Sequence, residues 1–306
     1  MQSHFTALAY APELTLNALD QVAEVIGRFG AVNNPWTPIP ADGFSAAELA
    51  VTAPSEETAA SVVAEHWLVS VREALAQEEL PVDVAVVPSA LRHAERKFLI
   101  MDVDSTLIQQ EVIELIAAHA GKEAEVAAVT EAAMRGELDF AQSLHQRVAQ
   151  LAGLPVSVLD EVRDAVRLSV GARRLVDAFH AQGHQVAVVS GGFSQVLEPI
   201  AQDLGLDHWL ANDLEIQDGV LTGRVAGDVV DRATKAGKLR EWAQAAGVPL
   251  DACFAVGDGA NDLDMLATAG LGIAFNAKPA VQGAAGAAIN QPHLDAVAVL
   301  AGVPLA

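Results

Sequence analysis

Apolar and polar positions alternate differently in two parts of this 306-residue chain. In the first part, residues 4–10 read as a strand and Leu14–Phe29 as a helix ending near Gly30. Gly43–Thr52 holds a second strand, and Glu57–Ala76 spaces Val62, Val63, Trp67, Leu68, Val71 and Leu75 along one side of a long amphipathic helix. Val82–Val87 closes the region as a strand interrupted by Pro88. This β-α-β-α-β order predicts a small α+β domain over residues 1–92.

A polar stretch, Arg92–Lys97, then leads into the apolar run Phe98–Met101, short enough for a buried strand. Helical text follows: Glu111–Ala120 stopped by Gly121, Glu123–Arg135 stopped by Gly136, and Phe140–Leu151 stopped by Gly153. After Gly171, helices and strands alternate: helix 172–182, strand 184–189, helix 194–204, a hairpin at Asp218-Gly219, helix 235–246, strand 253–256, helix 262–269 and strand 272–275. The pattern predicts one α/β core over residues 93–306. About 60 helical residues, at about 109–170, interrupt it after its first strand and are placed to cap the site.

Three of these strands end in polar, glycine-rich text. They are Asp102-Val103-Asp104-Ser105-Thr106, Ser190-Gly191-Gly192-Phe193 and Gly257-Asp258-Gly259-Ala260-Asn261-Asp262. In a parallel sheet such ends meet at one edge, where ligands bind. Paired carboxylates there can hold Mg²⁺, attack phosphorus or move protons. Asp102 and Asp258 offer hard oxygen ligands. Ser190 offers a hydroxyl, which can equally cap the next helix, and Gly191 lets backbone N–H come close to a phosphate. Lys235 or Lys238 can supply the cation.

Composition narrows the partners. The formal charge of −22 is spread over both parts, −10 in residues 1–95 and −12 beyond, which makes nucleic acid or an anionic membrane a poor partner. No run of 18 apolar residues is present, and the N-terminal residues lack the basic start and apolar stretch of a secretory signal, so the cytoplasm is the expected location. The single cysteine, Cys253, lies in an apolar run and reads as a buried, reduced thiol.

With these motifs in place, residues 98–306 resemble the phosphoserine phosphatases of the haloacid-dehalogenase superfamily. The four family motifs match Asp102–Thr106, Ser190–Phe193, Lys235 and Gly257–Asp262, while Glu111 and the stretch Ala133–Val148 resemble the phosphoserine-specific cap. The resemblance implies an α/β fold with a Rossmann-like parallel sheet, a helical cap inserted after the first core strand, and an ACT-like N-terminal module that senses amino acids or dimerises. It implies Mg²⁺-dependent hydrolysis of O-phospho-L-serine through an aspartyl phosphate. Asp102 would be nucleophile and metal ligand, Asp104 the acid/base with its carbonyl on the metal, Asp258 the remaining ligand and Asp262 a support beside them. Ser190, Gly191, Lys235 and Asn261 would hold the phosphate, Glu111 the substrate ammonium and Arg147 its carboxylate. Met134 and Phe140 would wall the pocket. A phosphotransferase, a phosphatase for a related metabolite such as phosphohomoserine, and a non-catalytic amino-acid sensor are the alternatives.

Overall fold

A computed structural model describes residues 4–32, 35–53, 60–134 and 137–305, with backbone only for 31, 32, 60–63 and 134. Two sheets organise these residues. The first contains β1 (His4–Ala11), β2 (Ala31–Val32), β3 (Thr37–Ile39), β4 (Ser45–Thr52) and β5 (Asp83–Pro88). Its strands are antiparallel in the order β2-β4-β1-β5, with β3 also on β4. The helices Leu16–Gly27 and Ala60–Gln77 connect them, giving a split β-α-β arrangement. The additional strands β2 and β3 are two and three residues long, too short for periodicity to register, and β3 contains Pro38. Trp67, Val71 and Leu75 are buried on the sheet; the side chains of Val62 and Val63 lie outside the described ones.

The second sheet contains β6 (Phe98–Met101), β7 (Gln185–Phe193), β8 (His208–Gln217), β9 (Val220–Ala226), β10 (Cys253–Gly257), β11 (Leu271–Phe275) and β12 (Ala287–Ile289). Their order is β12-β11-β10-β6-β7-β8-β9, parallel throughout except the final β8–β9 pair. Every residue of β6, β10 and β11 is buried, as expected of unalternating apolar strands with both faces covered. Strand β12 arises from the small-residue run Gly283–Ala288 and had no sequence signal of its own. At the β8–β9 hairpin, Asp218 and Gly219 both take positive φ, 52° and 79°, the pairing that a two-residue primed turn requires.

The chain leaves β6, builds β7 and β8 on one side, and then returns to build β10 and β11 on the other. That reversal opens a crevice beyond the carboxyl ends of β6, β7 and β10. The cap fills the connection between β6 and β7 with the helices Val112–Ala120, Glu123–Met134, Phe140–Ala149 and Val158–Ala165. Gly121, at φ 62°, stops the first, and an Asp139–Gln142 capping box starts the third. Arg135 and Gly136, the expected stop of the second, lie outside the described residues. The cap's two connections run side by side, joined by Gln109 N–H to Arg167 O (2.9 Å) and Ser169 N–H to Leu107 O (2.9 Å).

The two sheets share apolar packing, since Leu8, Tyr10 and Phe44 belong to the same buried cluster as Leu99 and Phe254. Polar ties reinforce it. The Tyr10 hydroxyl donates to Ala288 O at 2.6 Å, and Asp83 accepts from the Asn290 backbone and side chain at 2.7 and 2.8 Å. Cys253 is buried, its thiol 3.3 Å from Pro249 O, and burial pushes it up to about 12, so it stays a thiol at neutral pH.

Candidate active site

The chain changes direction immediately after β6. Asp102 keeps extended backbone, while Ser105 takes φ 56°, so Asp102 and Asp104 turn into one crevice instead of alternating across a strand. One Asp102 oxygen accepts the Val103 N–H at 2.7 Å and the other meets Lys235 Nζ at 2.8 Å. Lys235 lies one turn inside the helix Arg232–Ala246, which begins three residues earlier than the sequence pattern suggested because Asp231 caps it through Thr234 N–H. Its ammonium also donates to Asp262 at 2.7 Å and is fully buried. Lys238 instead pairs with Glu241 at 2.7 Å, at the surface. Of the two candidate lysines, Lys235 is the one against the carboxylates.

The remaining core residues are held by short contacts. Thr106 Oγ1 donates to Asp258 at 3.0 Å, and Gly259 N–H donates to Asp262 at 3.0 Å. Val112 N–H approaches Asp104 at 3.4 Å, a weak contact. Ser190 Oγ accepts from Gly192 N–H at 2.7 Å, which fixes the bend of the loop. Asn212, a buried residue with no signal in the sequence, ties that loop down. It donates to Gly191 O at 2.8 Å and accepts from Val230 N–H at 2.7 Å. Gly191 and Gly192 are needed for space: a Cβ on the first would lie 2.8 Å from Phe140 Cζ, and on the second 2.6 Å from Asp104 Oδ2.

The cap supplies the opposite wall of a cavity of about 860 Å³. Asp102, Asp104, Gly191, Asp258 and Asn261 line it on one side and Glu111, Phe140 and Arg147 on the other. Ser105 Oγ donates to Glu111 at 2.7 Å. Arg147 makes only a 3.4 Å contact from Nε to Ser143 O, and no carboxylate lies within ion-pair distance of it among the described residues. Met134 ends its helix, and its side chain lies outside the described ones. Thr106, Ser105, Ser143, Arg232 and Lys278 also belong to the site or its walls, although sequence reasoning passed over them. Thr106 and Ser105 stand within the first motif, so position alone could have flagged them.

Electrostatics mark the core side as short of positive charge. Burial, and then Asp262, push the Asp102 carboxyl well above the usual range despite Lys235. Burial and Glu111 raise Asp104 to about 7, and burial and Asp262 raise Asp258 to about 6. Burial pulls Lys235 down, but Asp102 and Asp262 outweigh it and hold the ammonium charged. Asp102, Asp258 and Asp262 each present an oxygen within 4.8 Å of the others, and one lysine cannot neutralise three carboxylates. Hard oxygen donors in this number suit a divalent cation such as Mg²⁺. Asp262 has both oxygens engaged, by Lys235 and Gly259 N–H, and so has Asp102, by Val103 N–H and Lys235. Asp258 accepts through one oxygen from Thr106 and presents the other as the most available carboxylate ligand among the described residues.

Against this geometry, a family model for haloacid dehalogenase-like hydrolases matches residues 99–267. A phosphoserine phosphatase of Streptomyces coelicolor is 62% identical over 234 residues, which is 76% of this chain and 57% of that protein. This chain thus spans little more than half of that relative's length. The phosphoserine phosphatase of Saccharomyces cerevisiae is 39% identical over 300 residues, covering 97% of this chain and 95% of its own. A solved phospho-aspartyl intermediate analogue of a phosphoserine phosphatase is 40% identical, with a TM-score of 0.63 over 66% of this chain and 97% of that one. The chain belongs to the haloacid dehalogenase-like hydrolases, within their phosphoserine phosphatase family.

Proposed function

We propose that the protein hydrolyses O-phospho-L-serine to L-serine and phosphate, with Mg²⁺ and through an aspartyl phosphate on Asp102. One observation carries this reading. A buried carboxylate, ion-paired to a buried lysine, stands in a cavity whose opposite wall offers Arg147, without an ion-pair partner among the described residues, and the carboxylate of Glu111. Phosphate, carboxylate and ammonium are the three charged groups of phosphoserine, and each has a complementary partner here.

In this mechanism an Asp102 oxygen attacks phosphorus, forming the Asp102–phosphorus bond as the bond to the serine oxygen breaks. Asp104, raised to about 7, is protonated often enough near neutral pH to give its proton to the departing serine oxygen. The resulting Asp104 carboxylate then takes a proton from water, which attacks phosphorus and releases Asp102. Lys235, Ser190, the Gly191 N–H and Asn261 hold the phosphoryl oxygens. Arg147 and Glu111 orient the amino acid, and Phe140 closes over Gly191 to exclude water. Mg²⁺, when held by Asp102, Asp258 and the Asp104 carbonyl, would neutralise the repulsion between carboxylate and phosphate.

The same reading makes residues 1–92 an ACT-like regulatory or dimerising module and residues 93–306 the hydrolase with its cap at about 109–170, working in the cytoplasm. The split β-α-β order of the first sheet supports the former. Phosphate release from O-phospho-L-serine, measured with Mg²⁺ and with a chelator, tests the central claim. Turnover only with Mg²⁺ is expected. Equal rates in chelator, or no release from phosphoserine under either condition, would overturn it.

A further inference from the structure

The cavity holds two cations that the proposed mechanism does not use. Arg232 opens the helix Arg232–Ala246, and Lys278 follows β11 and precedes the short helix Pro279–Gln282. Both line the 860 Å³ cavity on its core side, with Ala260 and Asn261. Arg232 is half-exposed and braced by Asp264 at 2.6 Å. Lys278 is exposed and has no ion-pair or hydrogen-bond partner among the described residues. Asp102 is ion-paired to Lys235 and, among the described residues, to neither of them, and both are exposed where that pair is buried, so they belong to the approach and not to the reacting centre.

Their surroundings give them work. The chain carries −22, and among the described residues five carboxylates line the same cavity: Asp102, Asp104, Glu111, Glu114 and Asp258. A phosphate dianion approaching it meets a repulsive field unless the path contains local positive charge. Among the described residues the cavity's remaining cation, Arg147, stands on the cap wall. The walls therefore differ. On the core side an uncommitted lysine ammonium and a guanidinium already braced by Asp264 face the guanidinium of Arg147 on the cap side, an arrangement that presents the phosphoryl end of a substrate to the sheet and its carboxylate end to the cap.

We propose that Lys278 and Arg232 form an entrance subsite that attracts the phosphoryl dianion and orients it toward Asp102. The inference rests on the phosphatase reading for its substrate. Its recognition chemistry, however, is that of any phosphate monoester, and this separates the two in a test.

The experiment measures kcat/KM for O-phospho-L-serine and for 4-nitrophenyl phosphate at ionic strengths of about 0.01 M and about 0.5 M, where screening lengths differ severalfold. Lys278→Gln is expected to lower kcat/KM about five- to tenfold at low ionic strength for both esters, and less than about twofold at high. Lys278→Arg should restore most of the loss, and the double Lys278→Gln, Arg232→Gln should deepen it. Lys238→Gln, the same charge change outside the cavity, is the control and should match wild type. A Lys278→Gln protein equal to wild type at low ionic strength would overturn the subsite. So would a loss that persists at high ionic strength, which would mark a structural role. If wild type turns over the aryl ester and not phosphoserine, the phosphoserine reading fails while a salt-dependent loss still supports the subsite. Inorganic phosphate binding by calorimetry reads the subsite without turnover: weaker binding by Lys278→Gln at low salt supports it, and unchanged binding overturns it.

Discussion

The two walls of the cavity are built on opposite principles. On the core wall the buried groups are committed to one another: Lys235 spans Asp102 and Asp262, Thr106 holds Asp258, and Asn212 pins the Gly191 loop, with Lys278 free only at the exposed rim among the described residues. On the cap wall Arg147 is unpaired among the described residues and Phe140 is half-buried. Pre-organised, water-excluded groups suit the step where charge moves. Uncommitted groups suit recognition, because a ligand can satisfy them. The difference assigns chemistry to the sheet and selectivity to the cap.

The largest effect should come from breaking the core wall at its nucleophile. Asp102→Asn keeps the shape and leaves Lys235 its partner Asp262, so the protein should fold. Turnover should fall by about 10⁴-fold or more, as when a covalent nucleophile is removed. A variant keeping more than about a tenth of wild-type kcat would show that no aspartyl phosphate forms there. Lys235→Ala is a different kind of break. It strands two buried carboxylates and should cost about 3–5 kcal/mol in urea unfolding, which makes it a poor probe of catalysis.

How far each wall was legible in the sequence follows the same division. The core wall was legible because its residues sit where short continuous apolar runs stop: Asp102 after Phe98–Met101, Ser190 after 185–189, Asp258 after Cys253–Gly257. A strand end is a fixed place in a parallel sheet, so the residues there converge whatever lies between them. Asn212 escaped because a buried polar residue that braces a loop has no periodic signature, whereas Thr106 stood within the first motif and only its partner Asp258, on another strand end, was out of sight. Cap residues were legible only through family resemblance. Arg147 on an amphipathic helix looks like any solvated cation until the neighbouring wall is known. Strands β2, β3 and β12 were lost for another reason: two or three residues stabilised by tertiary pairing carry no local pattern.

Breaking the cap wall should cost less, and selectively. Arg147→Ala removes the fork that would meet the substrate carboxylate, without touching the Lys235–Asp102 pair. Its kcat/KM for phosphoserine should drop about 10²-fold, the scale of a lost charged hydrogen-bonded pair, while 4-nitrophenyl phosphate should lose less than about fivefold. Equal losses on the two esters would remove the cap from substrate selection and collapse the contrast between the walls.

The smallest effect concerns the proton on Asp104, and it tests whether the core wall really holds excess negative charge. Burial and Glu111 raise this carboxyl from its ordinary 3.8 to about 7 in the folded protein. Between these values the folded chain keeps a proton that the unfolded chain has released, so stability must fall as pH rises from about 4 to about 7. Other groups titrate in the same window with both signs: His184, at the far end of the sheet, is pulled down to about 4 by burial and Lys97, and Asp258 is pushed up to about 6 by burial and Asp262. The difference between wild type and Asp104→Asn isolates the one carboxyl. In chelator, urea unfolding should show wild type losing about 2 kcal/mol relative to the variant across that range, a figure set at half the full shift because the group is partly exposed. Adding Mg²⁺ should shrink the difference, because a bound cation favours the ionised form. A difference that stays flat with pH would mean that Asp104 is ionised throughout, and that the core wall needs no further cation to hold its carboxylates together.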